Sequence, residues 1–456
     1  MLKTLFSILN SKKITSDIDG IKPGSIYIDM YSSNERDLNY AYDKGAELII
    51  TSKEVLNTSL PIIKVENASR TYLKLLNTIY NNPLDKAGFI TIFGGNRSNT
   101  IASILDFIFK NKYYRKMHKK GLYNTLASLA PMINNLNIED FFYYVLSRIL
   151  QNIDKIPLPS DSSYQLIEPV ISKNIECIII EDCMYLNMSD ISNEESNKPI
   201  IINNDKPYAL TIINGRSDSL IITYGLNKKA AVTATSIDYG EKTAFNYCLQ
   251  RTFYSKTGKK IEPFEVPLTI KGLGINRIYA ALAAISCALY YDIDMKTIKE
   301  SLLDYNGLNR DFLIKEYENF TLIDNYCTSY LDFKEVFEVL QYVDYKKIYL
   351  LLSNAIINDE KSELIITDFI REVAISVNIK EIFIITFVKN ESEKKNYKRF
   401  ESLKNELNIH ISYFNELVNA ITYFINDVKE KDVLLVLGGR ELIRPEIIIE
   451  LLLKNK

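Results

Sequence analysis

The sequence predicts an α/β protein with mostly parallel sheets, arranged in three successive segments. Three observations carry this expectation. Strand-like and helix-like runs alternate through the first and last parts of the 456 residues. Several strand runs are almost continuously apolar, as in Ile178-Ile179-Ile180 and Ile200-Ile201-Ile202, the pattern of strands buried on both faces. In the middle, the apolar run Phe89 to Phe93 leads into Gly94-Gly95-Asn96-Arg97-Ser98-Asn99-Thr100, with a helix expected over 101–110. Strand, small-residue turn and helix in that order are the layout of a phosphate-binding loop.

The elements follow in chain order. The first segment, residues 1–85, contains Ile21-Lys22-Pro23-Gly24-Ser25-Ile26-Tyr27-Ile28, a turn running into a strand. Residues 37–45 have helical character and stop at a glycine, and 46–51 read as the next strand. Residues 70–80 carry helical periodicity, and Pro83 punctuates the exit. The second segment, 86–306, holds the loop-like turn, then expected strands at 176–180, 199–202, 209–213 and 220–224. Helices are expected at 138–153, 164–172 and 277–290. In the third segment, 307–456, strands at 320–323, 347–352, 381–387 and 433–437 alternate with helices at 333–343, 363–377 and 415–428. That order fits a doubly wound, Rossmann-like sheet.

Composition narrows the function classes. The chain is 47% hydrophobic and 25% charged, ordinary for a globular protein. A formal net charge of −2 gives no global reason to bind nucleic acid or anionic lipid. No apolar run approaches the roughly 20 residues that span a bilayer. Met1 to Asn10 lacks a long apolar stretch and a small-residue cleavage site, so the expected location is the cytoplasm. The five cysteines, Cys177, Cys183, Cys248, Cys287 and Cys327, form no C-x-x-C pair and read as free buried thiols. With only His118 and His410 present, most histidine-based metal and nucleophile constellations are excluded. Residues 110–120 are strongly basic with interleaved tyrosines. They read as a solvated helix exit, with a lip for an anionic ligand or a nucleic-acid patch as alternatives.

The loop-like turn lacks the residues that perform phosphate chemistry. A working loop reads G-x-x-x-x-G-K-[ST], with lysine on the β/γ-phosphates and the hydroxyl on magnesium. Here Thr91 stands at the first glycine, Arg97 at the second, Ser98 at the lysine and Asn99 at the hydroxyl.

Further short motifs resemble the Mur ligases, ATP-dependent enzymes that add amino acids to UDP-N-acetylmuramic acid precursors of peptidoglycan. The branch resembled most is UDP-N-acetylmuramyl-tripeptide synthetase. Pro23-Gly24-Ser25-Ile26-Tyr27-Ile28, with Ala41 and Gly45-Ala46, is similar to its P-G-D-L-F-V … A … G-A pattern. Gly94 to Thr100 falls where the family has G-T-N-G-K-T-T, and Lys120 to Thr125 resembles the G-x-x-G-T that follows. Ile178-Ile179-Ile180-Glu181 resembles a strand ending in a magnesium-binding glutamate. Asn203-Asn204-Asp205-Lys206-Pro207 and Leu220 to Gly225 resemble N-x-D-D-P and V-I-T-Y-G. Asn276 to Ala284 is similar to F-N-V-Y-N-A-L-A-A, Gly307 to Arg310 to G-V-x-G-R, and Leu322 to Tyr330 to I-I-D-D-Y-A-H-N-P. The matches run in family order across all three segments. The resemblance implies a small N-terminal domain for the UDP-substrate (1–85), a central P-loop ATPase-like domain (86–306) and a C-terminal Rossmann-like ligase domain (307–456).

By resemblance, Gly94, Gly95, Asn96, Arg97, Ser98, Asn99 and Thr100 would contact nucleotide phosphates, Glu181 would bind magnesium, Arg310 would contact the nucleotide, and Asp324 would hold the ribose. Each of the last three has a plainer alternative. These are a solvated strand-end carboxylate for Glu181, an interdomain salt bridge for Arg310, and a turn or helix-cap residue for Asp324. The departures concentrate on chemistry. Ser98 cannot supply the fixed positive charge of the family's lysine, and Asn99 offers magnesium only an amide oxygen. Arg97 could replace the lost charge, one position early. The histidine-rich block and carbamylated lysine are represented only by the acidic run Ser189 to Asn197, the T-T-P motif only by Pro159-Ser160-Asp161, and the D-N-P-R motif by Thr386 to Asn390. Thr328 stands for the histidine of D-Y-A-H and Ala280 for the adenine-side asparagine.

The expectation is a catalytically impaired or inactive paralogue, with ATP and magnesium binding weakened or lost, that acts on a UDP-muramyl-type ligand or a protein partner. The alternatives are an active ATP-dependent carboxylate–amine ligase with a rebuilt site and a structural cell-envelope assembly protein.

Overall fold

The computed structural model of the protein describes residues 14–30, 35–54, 61–94, 96–114, 138–150, 154–159, 170–182, 198–207, 209–214, 220–226, 229–239, 242–308, 310, 312–327, 330–354, 356–357, 359–386, 397–439, 441–442 and 444–454. The chain forms two compact units: residues 1–233, 250–262 and 282–298, and residues 234–249, 263–281 and 299–456.

The first unit begins with a parallel sheet of β1 (Ile14–Thr15), β2 (Ser25–Asp29), β3 (Ala46–Thr51) and β4 (Ile62–Lys64), in sequence order. Helix α1 (Glu35–Asp43) joins β2 to β3. Gly45 closes that turn at φ +102°, where a Cβ would lie 2.8 Å from the Cα of Pro23. Helix α2 (Ala68–Ile79) starts at Asn67, whose side chain accepts from the Arg70 N–H. A short α3 (Pro83–Lys86) leads into the central sheet.

That sheet contains β5 (Gly88–Phe93), β6 (Lys155–Pro159), β7 (Ile175–Ile180), β8 (Ile200–Asn203) and β9 (Ile221–Tyr224), in the order β9-β8-β7-β5-β6 and parallel throughout. Its helices are α4 (Asn96–Tyr114), α5 (Ile138–Leu150) and α6 (Ala209–Asn214). Every residue of β5 and of β8 is buried, as continuous apolar strands require. One core runs from Ile26, Ile28 and Ile50 through Tyr72 and Leu76 to Phe89, Ile178 and Ile202.

Two expectations are corrected here. Residues 209–213 are helix, not strand. A short apolar run fits either state, and here the i, i+3 pair Ala209 and Ile212 packs into the core. The helix expected from residue 101 begins at Asn96, so most of the loop-like turn is helical. Asn, Ser and Thr favour first helical turns as well as loops, and burial of Ser98, Asn99 and Thr100 settles the choice. The helix expected at 164–172 lies largely outside the described residues.

After β10 (Val232–Tyr239), which begins with Val232 beside Tyr224, come β11 (Lys242–Leu249), the short pair β12 (Phe253–Tyr254) and β13 (Lys260–Ile261), and β14 (Phe264–Lys271). β11 and β14 pair antiparallel over eight residues each. Helices α7 (Ile275–Tyr290) and α8 (Met295–Asp304) follow.

The rest of the second unit is a six-stranded sheet: β15 (Leu313–Glu316), β16 (Phe320–Tyr326), β17 (Lys347–Ser353), β18 (Ile379–Ile385), β19 (His410–Phe414) and β20 (Asp432–Gly438). The order is β15-β16-β20-β17-β18-β19, with only β15 antiparallel. Helices α9 (Tyr330–Leu340), α10 (Glu360–Val373) and α11 (Lys398–Leu407) share a core with Leu350, Leu352, Ile382 and Ile384. Helices α12 (Leu417–Asp427) and α13 (Pro445–Lys454) share another with Tyr349, Leu351, Phe383 and Ile385. Alternate residues of β17 and β18 thus serve opposite faces, as a doubly wound sheet demands.

Candidate functional site

Strand register assembles the site in the first unit. Phe93 is level with Ile180, Ile180 with Ile202, and Asn203 with Tyr224. Gly94, Glu181, Asn203 and Tyr224 therefore form a row along the carboxyl edge of the parallel sheet, where open α/β sheets place ligand sites. The Phe93 carbonyl accepts from the N–H groups of Glu181 (2.8 Å) and Asp182 (3.3 Å), fixing the exit from β7. Gly94, at φ +150°, allows this approach: a Cβ there would stand 2.9 Å from the Glu181 Cβ.

Glu181 is 1% exposed and its carboxylate is fully engaged. Oε1 accepts from Arg97 Nη1 at 2.5 Å and from Asn203 Nδ2 at 3.2 Å. Oε2 accepts from Asn203 Nδ2 at 3.2 Å and from the Tyr224 hydroxyl. Burial pushes this carboxyl above its usual range, while Arg97, Tyr224, Lys206 and Asn203 act in the opposite sense. A second pair, Lys206 Nζ to Asp182 Oδ2 at 2.7 Å, stands beside it. Asp205 accepts from Leu226 N–H at 2.7 Å and donates its own N–H to Asn203 Oδ1 at 3.0 Å, which orients the asparagine amide.

The remaining loop residues occupy the first turn of α4. Arg97 reaches back from that turn to Glu181 with 22% of its side chain exposed. Ser98 and Thr100 are buried, as is Asn99, whose Oδ1 has no hydrogen-bond partner. Asn96 begins the helix, and Gly95 lies outside the described residues. Glu181 is thus not the solvated strand-end carboxylate considered as its alternative. Asn203 and Tyr224 were not singled out from sequence as site residues. Their signal was a polar residue at the end of an apolar parallel strand.

Arg310 and Asp324 meet each other in the second unit. Arg310, at φ +57°, places Nε 2.8 Å and 3.0 Å from the two Asp324 oxygens. Its Nη1 donates to the Gly439 carbonyl and its Nη2 to the Asn325 carbonyl at 3.4 Å. Asp324 is fully buried within β16, level with Val436 of β20. It is therefore neither a turn residue nor a helix cap, and Arg310 pairs inside its own unit. Burial lifts the Asp324 carboxyl to about 7 although Arg310 pulls it down.

Other sequence features resolve simply. Cys177, Cys248, Cys287 and Cys327 are free and buried, as expected. Within the described start of the basic run, Lys110 pairs with Asp106 at 2.9 Å and Lys112 donates to the Tyr291 carbonyl at 3.3 Å. Residues 183–197 and 387–396, which carry the acidic run and most of the D-N-P-R counterpart, lie outside the described residues. Among the described residues, no helix is long and apolar enough to cross a membrane.

The fold is that of the Mur ligases. MurF ligase from Thermotoga maritima, solved in complex with ADP, matches at a TM-score of 0.63 over 98% of both chains, with 14% identity. Folylpolyglutamate synthase from the same organism matches at 0.57 over 85% of this chain and 94% of that one, with 15% identity. In sequence, the chain is a distant relative of the Mur ligases. It is 24% identical over 319 residues to the UDP-N-acetylmuramoyl-L-alanyl-D-glutamate–2,6-diaminopimelate ligase of Clostridium botulinum, spanning 64% of this chain and 62% of that enzyme. To the Bacillus licheniformis enzyme of the same name it is 20% identical over 461 residues, 93% of this chain and 88% of the relative. No family model matches the chain.

The residues do not fit magnesium at Glu181. Three protein donors fill its two oxygens, and one of them already carries a positive charge. Asn99 adds only a neutral oxygen, whereas magnesium sites use carboxylates with phosphates. Among the described residues, no group of three or more His, Cys, Asp or Glu side chains could hold a metal ion.

Proposed function

We propose that this chain is a catalytically impaired Mur ligase-type protein. It keeps a nucleotide-phosphate site at the start of α4 and works by binding a UDP-muramyl-type ligand or a protein partner, in the cytoplasm. The observation that carries this reading is the closure of Glu181 by Arg97, Asn203 and Tyr224. Acyl-phosphate formation requires charge on the transferring phosphoryl group to be neutralised as it develops. In this chain the lysine position is Ser98 and the hydroxyl position is Asn99. The cation nearby, Arg97, is committed to a buried carboxylate.

The test is a phosphate-release assay with purified protein, Mg-ATP, UDP-muramyl peptides and a panel of amino acids. Release at the blank rate is expected, and substrate-dependent release would overturn the reading. A second reading, an active ATP-dependent carboxylate–amine ligase with a rebuilt site, is favoured by the 93% of the chain that aligns with the B. licheniformis ligase. It requires Arg97 to leave Glu181 during turnover.

A further inference from the structure

We propose that Arg97 is the resident cation of this site, so that a polyphosphate bound at the start of α4 is held without a divalent metal. The inference rests on the reading that the start of α4 remains a phosphate site, and it concerns how charge is balanced there. Three observations carry it.

The first is position. Arg97 lies in the opening turn of a 19-residue helix, where unpaired backbone N–H groups and the helix dipole favour an anion. Its guanidinium sits against Glu181, the residue that aligns with the family's magnesium-binding glutamate, at 2.5 Å. A guanidinium offers five N–H donors in a planar fork, so one contact to Glu181 leaves geometry for phosphate oxygens. The second is saturation. Both oxygens of Glu181 are filled by Arg97, Asn203 and Tyr224, so a metal would have to displace charge-assisted bonds in a buried setting. The third is the amide of Asn99, buried in the same turn with Oδ1 unpartnered. Amide nitrogen and oxygen exchange places by a flip, so this side chain can present donors or an acceptor to a ligand. Glu181 then acts as a positioning residue. It holds the guanidinium at the sheet edge and competes with phosphate for it.

The two roles for Glu181 give opposite signs on substitution. A metal ligand, once neutralised, weakens metal-nucleotide binding. An anchor that competes for Arg97, once neutralised, releases the guanidinium and tightens phosphate binding. The experiment is titration calorimetry of the full chain with ADP and, separately, inorganic tripolyphosphate, in excess EDTA and in excess Mg²⁺. For the native chain, affinities within about twofold of each other in the two conditions are expected. Glu181→Gln should tighten both probes by roughly threefold or more, and Arg97→Ala should weaken them roughly tenfold or more. A Mg²⁺ requirement, weaker binding by Glu181→Gln, or no binding of either probe would overturn the assignment. Should Arg97→Ala fail to fold, the native comparison and Glu181→Gln still decide. Phosphate release in the ligase assay would sink the impaired-catalysis reading alone, whereas a Mg²⁺ requirement would sink the resident cation alone.

Discussion

Replacing Arg310 with alanine should destabilise the second unit in a way that grows with pH. Asp324 has no solvent exposure, and its carboxyl titrates at about 7 in the folded protein. In the unfolded chain the value is about 3.9. A carboxyl raised on folding binds more protons in the native state, so its contribution to stability falls as pH rises from the unfolded value through the folded one. In the native chain that fall is complete just above pH 7. In Arg310→Ala the carboxyl loses the partner that pulls its titration down, and the fall continues to higher pH. At pH 6 both proteins hold a protonated Asp324, and the variant loses chiefly the bonds to the Gly439 and Asn325 carbonyls, about 1–2 kcal/mol. From pH 7 to 9 the difference grows by about 1.36 kcal/mol per pH unit, roughly 2.7 kcal/mol in all. The sum at pH 9 is roughly 4 kcal/mol, within the range for breaking a buried ion pair. Urea unfolding followed by circular dichroism suits a chain with 31 tyrosines and no tryptophan. Hydrogen exchange of β16 and β20 amides locates the loss. An equal loss at pH 6 and pH 9, or a loss under about 1 kcal/mol at pH 9, would refute the burial argument.

Two further substitutions probe the sheet edge. Gly94→Ala sets a Cβ 2.9 Å from the Glu181 Cβ and 3.2 Å from the Asp182 nitrogen. It should cost about 1–3 kcal/mol, and an unchanged melting temperature would show that the turn can relax. Tyr224→Phe removes a donor from buried Glu181 and should cost about 1.5–3 kcal/mol in chemical unfolding at pH 8. A change below about 0.5 kcal/mol would mean that Arg97 and Asn203 alone satisfy the carboxylate.

Much of the site was readable as residues, and little of it as relationships. Glu181, Arg97, Arg310 and Asp324 were all marked by their places in motifs. Their pairing was not legible, because Arg97 and Glu181 lie 84 residues apart and meet only through the register of β5 with β7. Asn203 and Tyr224 fell inside quoted motifs but received no role. Their contact with Glu181 depends on three adjacent parallel strands ending level. The run 209–213 misled because an apolar pentamer has no period long enough to separate strand from helix. The antiparallel pair β11 and β14 was missed although β11 begins with alternating burial, starting at Thr243. Such alternation is the expected mark of a strand with one wet face.

By itself, the sequence determined the α/β class, the order of the sheets and the loss of the phosphate-loop lysine. These are local properties: apolar periodicity, turn chemistry and the identity of one residue after a strand. Tertiary structure alone decided what the surviving charges do. Arg97 faces Glu181, and Arg310 faces Asp324, because strands distant in sequence end side by side. A buried carboxylate must find a cation or take up a proton. Which cation it finds depends on register, and register is set by the packing of whole sheets.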